Sequence, residues 1–95
     1  MNIEMQLDDI FHLQNGQIIF AGKFTTEIAT ITKKGHYIAK LIIDGVTDRE
    51  NIEITGEMTG GRHPYGRRAI ATMDKIDLNS EFVKSHNCQI ILVER

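Results

Sequence analysis

The feature that most constrains this chain is its surplus of β-branched residues. It holds 15 Ile, 3 Val and 8 Thr against only 5 Leu and 5 Ala. β-branched side chains have few χ1 options and pack well on a pleated surface, whereas Ala and Leu favour helices. A mostly-β fold is therefore expected before any pattern is read. A length of 95 residues suits one hydrophobic core and leaves no room for a second lobe, so residues 1–95 are read as a single domain.

The periodicity agrees. Ile3, Met5 and Leu7 alternate with polar neighbours, and Phe11 and Leu13 resume that parity after Asp8-Asp9, which predicts a strand over 2–13 with a break or bulge. Asn15-Gly16 is a strong hairpin signal of the type I′ kind. Ile18, Phe20, Gly22 and Phe24 then share one face of a second strand. Lys34-Gly35 marks a turn into a strand over 37–43, which Asp44-Gly45 closes. A weaker strand is expected at 51–55, a loop at 56–68, and a strand at 69–78. A single helical turn with Ser80 as a cap follows, and 88–93 form the last strand, with Cys88, Ile90 and Leu92 on its inner face. Six or seven short strands with turn signals about every 8–12 residues predict an all-β fold: a small closed or nearly closed antiparallel β-barrel with one short helical turn. A β-sandwich is the alternative.

Composition excludes several classes. Eleven Lys and Arg against 13 Asp and Glu give a formal charge of -2, so no strong overall field draws the chain to nucleic acid or membrane. A single cysteine excludes an internal disulfide framework and an all-cysteine zinc site. The first residues carry Glu4, Asp8 and Asp9 where a signal peptide would be basic and then apolar, and runs such as Ile90–Val93 are too short to span a bilayer. A cytoplasmic, soluble protein with no membrane partner and no cofactor is the expectation.

The run Asp9–Phe24, with its aromatic-containing first strand, its glycine turn and an apolar strand ending in Gly22-Lys23, resembles the opening of domain 2 of translation elongation factors such as elongation factor Tu. Lys33-Lys34-Gly35 followed by Tyr37–Ile43 is similar to that family's next turn and strand, and His86–Val93 to its last barrel strand. The resemblance covers about half the chain. It departs at the shortened Asn15-Gly16-Gln17 turn, at the lack of a glycine between Phe24 and Lys33, and at His36, where the family has an acid. It implies a β-barrel and a binding role in translation.

The most unusual segment is 59–68, with three of the five arginines, three of the eight glycines, the only proline, one of two tyrosines and no acid. Guanidinium forks suit phosphate oxygens and a tyrosine face suits base stacking, which makes Arg62, Tyr65, Arg67 and Arg68 candidate contacts to RNA or a ribonucleoprotein. A solvated connecting loop is the plainer reading. The glycine spacing of 61–68 imitates a P-loop, but Arg67-Arg68 stand where Lys and Ser/Thr are needed and a strand follows instead of a helix. Nucleotide hydrolysis is rejected on that ground.

Acids gather at Asp44, Asp48, Glu50 and Glu53, with Glu57 beyond. They form a solvated face or, functionally, an acidic surface that binds a protein partner. His12, His36, His63 and His86 show one close pair with sulfur, His86-x-Cys88, and no second pair at ligand spacing, so no metal site is expected. Acids, nucleophiles and ligands do not converge, and the chain is read as no enzyme. Two functions remain: a non-enzymatic binding module of the translation-factor barrel type contacting RNA through 59–68, or a small protein-binding inhibitor or immunity-type protein using its acidic 44–57 region or a strand edge. Exposed edges of such Ile-rich strands also favour a homodimer.

Overall fold

A computed structural model describes residues 2–58 and 66–95. Among these residues there are six strands, β1 (Asn2–His12), β2 (Ile18–Phe24), β3 (Tyr37–Ile43), β4 (Val46–Glu57), β5 (Arg68–Thr72) and β6 (Cys88–Glu94), and one helix, α1 (Ser80–Ser85). The strands pair antiparallel in the order β1-β2-β5-β4-β3-β6, and β6 pairs back onto β1 to close the sheet into a barrel. Met5, Phe20, Leu41, Ile52, Ile54, Ile70, Ile90 and Leu92 fill the interior and are buried. Ile76 and, from α1, Val83 join the same core. Burial of this many aliphatic side chains is what holds a barrel of this size together.

β1 corrects the parity reading. The β1–β2 register slips between Leu7 and Asp9, so Asp8 is an extra residue in the strand. A side-chain period of two turns that insertion into a change of face. Ile10 enters the core, while Phe11 and Leu13 are 44% and 39% exposed. Gly22 stands opposite Leu7 beside the bulge, and a Cβ there would lie 2.0 Å from the Gln6 carbonyl oxygen. Only glycine allows the two backbones to approach this closely.

The turns trade roles. At Asn15-Gly16 only Gly16 takes a positive φ (89°), with its N–H bonded to the Leu13 carbonyl and the Asn15 side chain accepting from Gln17 N. The two-residue type I′ turn, with positive φ at both positions, occurs instead at Asp44 (50°) and Gly45 (82°), where Ile43 pairs directly with Val46.

Three boundaries also move. β4 starts at Val46, not 51, because residues 46–50 pair with β3 while staying exposed and so show no apolar alternation. β5 begins at Arg68 and ends at Thr72. There the Thr72 hydroxyl donates to the Glu53 carbonyl (2.7 Å) and Glu53 N donates to Asp74 (3.2 Å), so side chains replace the ladder bonds of the strand expected to run to 78. The cap of α1 is Asn79, whose side chain accepts from Phe82 N at 2.8 Å. Ser80 lies inside the helix and donates to Asp9.

Candidate binding surface

The two arginines of the basic segment that the structure describes are both held by acids of the same chain. They are neighbours across the start of a strand, so they leave it in different directions. Arg67 meets Asp8, the bulge residue, at 3.0 Å from Nε and 2.6 Å from a terminal nitrogen. Arg68 forms a two-pronged pair with Glu57 at 2.7 and 2.5 Å and donates to the Ile28 (2.8 Å) and Ala29 (3.3 Å) carbonyls. Its guanidinium carbon also lies 4.7 Å from the centre of the Phe24 ring. The hydrogen bonds to Glu57 push the Arg68 pKa up, so the charge is fixed in place. Arg62 and Tyr65 lie outside the described residues.

Asp8 and Asp9 extend this network to α1. Asp9 is 7% exposed and accepts from Ile10 N (2.8 Å) and the Ser80 hydroxyl (2.6 Å). Lys84 approaches its second oxygen at 3.6 Å and Arg67 at 3.9 Å. Burial raises the Asp9 pKa, but the Ser80 and Ile10 hydrogen bonds and the two cations outweigh it and hold the carboxyl below its ordinary value.

The acidic candidates stand together on the β3–β4 hairpin. Asp44 sits in its turn and accepts from Asn87 N at 3.0 Å. Residues 44–51, including Asp48 and Glu50, are exposed throughout, and Val46 at the tip is 70% exposed. Glu50 keeps a loose 3.8 Å pair with Lys40, and Glu53 a 3.4 Å contact with Arg95. Arg49 turns away and donates to the Lys75 carbonyl. The basic arm and the acidic arm are thus unequal: Arg67 and Arg68 are neutralised within the chain, while the hairpin presents its acids to solvent.

The histidines do structural work among the described residues. His12 donates to the Leu78 carbonyl (2.5 Å), His36 meets Glu94 (2.8 Å) and stacks on Tyr37, and His86 stacks on Phe82 while bonding its carbonyl (2.9 Å). Cys88 occupies the core position that its parity predicts, with burial first and then Asp44 and Asp48 pushing its thiol pKa up. Among the described residues no group of three or more His, Cys, Asp or Glu could hold a metal ion, and no helix is long and apolar enough to cross a membrane.

Two features escaped sequence reasoning. Glu57 is the partner of Arg68 from the adjacent strand, and only the β4–β5 pairing reveals it. Phe11, 44% exposed, pairs across the strand with Ile19 of a small outer cluster of Ile19, Ala69 and Ala71. The pair Asp8-Asp9, two acids in succession within an apolar strand, was the signal for the bulge that puts Phe11 there. No family model matches the chain, and neither the curated proteins nor the solved structures contain a match.

Proposed function

We propose that this chain is a non-enzymatic binding module whose ligand is another protein, engaged through the acidic β3–β4 hairpin. The observation that carries this reading is the contrast in charge availability. Arg67 and Arg68 are bonded to Asp8 and Glu57, whereas Asp48 and Glu50 stand exposed on a hairpin anchored to a closed barrel. Outward acids on a rigid support steer a basic partner surface and fix its register more than they add raw affinity. Small size and a closed sheet suit an inhibitor or immunity-type protein.

The second reading is a barrel of the translation-factor type that contacts RNA or a ribonucleoprotein. It draws on the antiparallel barrel and on the groove of about 300 Å³ lined by Phe24, Glu27, Gly66, Arg67 and Arg68 at the start of β5. Affinity capture from cell extract, with and without ribonuclease, separates the two. The protein reading expects a stoichiometric partner that survives ribonuclease and is lost from an Asp48→Lys/Glu50→Lys variant. Material that ribonuclease removes, with affinity falling steeply in salt and on Arg67→Ala, would instead establish the RNA reading.

A further inference from the structure

The hairpin has an apolar companion. The β3–β4 register slips between Ala39 and Leu41, and at that slip Asn51 takes a φ of 59°, a left-handed conformation that few residues other than glycine adopt. Glu50 and Asn51, at this bulge, line a groove of about 390 Å³ along the outer face of β3 and β6. Its floor is the cross-strand pair Ile38–Val93, with Ile38 half-buried and Val93 43% exposed. Lys40 and Glu50 stand on one side and Arg95 near the other end. Bulges recur where a sheet re-aims side chains at a ligand, and backbone strain concentrates at such places.

We infer that this groove receives one apolar side chain of the partner, aliphatic or aromatic, from a short segment that also carries a lysine or arginine beside it. This deepens the protein-binding reading and rests on it. The occupant follows from shape and charge. The groove is open, so it admits a side chain projecting from a polypeptide and does not enclose a free small molecule. Its apolar floor rewards a side chain that sheds water. Glu50, 60% exposed and paired with Lys40 at 3.8 Å, and Glu94, 66% exposed and paired with His36 at 2.8 Å, are the acids at its rim, and Asp48 lies two residues back from Glu50 along the hairpin. Arg95 is engaged by Glu53 at 3.4 Å. The net invitation on the hairpin side is to a cation.

The test is selection of random 12-residue peptides displayed on phage against the immobilised full chain, followed by titration of the enriched peptides in solution. The expected result is enrichment of an apolar residue within two positions of Lys or Arg. Binding of the synthetic peptide should weaken about tenfold on Val93→Ser and on Ile38→Ser, and again on Glu50→Lys. Val93 and Glu50 are surface positions, so those two variants carry the test if Ile38→Ser unfolds. No enrichment, or peptides that bind the Val93→Ser chain as well as the parent, would overturn the groove. Peptides that respond to Asp48→Lys/Glu50→Lys but not to Val93→Ser would remove the groove and leave the hairpin as the docking surface. Peptides indifferent to all of these substitutions would remove both.

Discussion

Replacing Arg68 by methionine tests whether that residue is a structural anchor. Its side chain is 19% exposed and that of Glu57 only 6%, so the pair is largely out of water. The substitution strips Glu57 of two hydrogen bonds, at 2.7 and 2.5 Å, and frees the Ile28 and Ala29 carbonyls, which tie the segment after β2 to β5. Removing one partner of a buried pair costs roughly 3–5 kcal/mol, because the remaining carboxylate stays buried while losing its guanidinium counter-charge. At about 4–8 °C per kcal/mol for a domain of this size, the melting temperature should fall by at least about 12 °C. Thermal melts by circular dichroism and urea titrations measure this directly. Arg68→Met combined with Glu57→Gln should recover much of the loss, since glutamine carries no charge and still accepts from Ile31 N, the 3.1 Å bond that Glu57 makes now. A single Arg68→Met variant that melts within about 4 °C of the parent would refute the anchor argument, and a double variant no better than the single would refute the stranded-charge mechanism.

Other substitutions probe the rest of the frame. Gly22→Ala should destabilise by at least about 2 kcal/mol, because the new Cβ would meet the Gln6 backbone at 2.0 Å, whereas Gly56→Ala, whose nearest neighbour lies at 3.8 Å, should change stability by less than about 0.5 kcal/mol in the same urea titration. Asp9 has a folded pKa below its unfolded value, so its stabilisation is complete above that unfolded value and is lost as pH falls through the folded one. Stability curves of Asp9→Asn should therefore be flatter than those of the parent below about pH 4, and equal slopes would show that the Ser80–Lys84–Arg67 network does not set this acid limb. Cys88 is buried with its thiol pKa raised, so labelling by a thiol reagent should track global unfolding, and rapid labelling of the native protein would contradict its core placement.

Much of the barrel was legible because its determinants are local. Fifteen isoleucines and the Gly-containing turns announced strands and reversals, and the parity of Cys88, Ile90 and Leu92 placed β6 correctly on the core. The errors came from places where pairing partners decide. Asp8-Asp9 marks a break within β1, but only the register against β2 identifies Asp8 as the inserted residue that moves Phe11 to the other face. Residues 46–50 carry no apolar alternation because neither face of that stretch is covered, yet β3 recruits them as strand. Arg67-Arg68 looked like one basic patch because the two are adjacent in sequence. Strand geometry sends them to different acids, Asp8 being 59 residues away and Glu57 11, and a long-range pair leaves no trace in a local reading.

Closure of the sheet also bears on the proposed partner contact. β3 is paired along its length by β6 on one side and β4 on the other, and β1 lies between β2 and β6. The stretch that β5 does not reach is the first half of β4, since β5 pairs only with Ile54, Gly56 and Glu57. That half carries two register slips and the acids Asp48 and Glu50. Bulges and charges are the features by which natural sheets keep an edge from templating another strand. That makes this stretch a poor template for homodimerisation by edge pairing. Glu50 and Asn51, at one of these bulges, line the groove beside the Ile38–Val93 floor. On the proposed reading, a surface of this kind would recognise side chains, with specificity residing in one apolar contact and one charge.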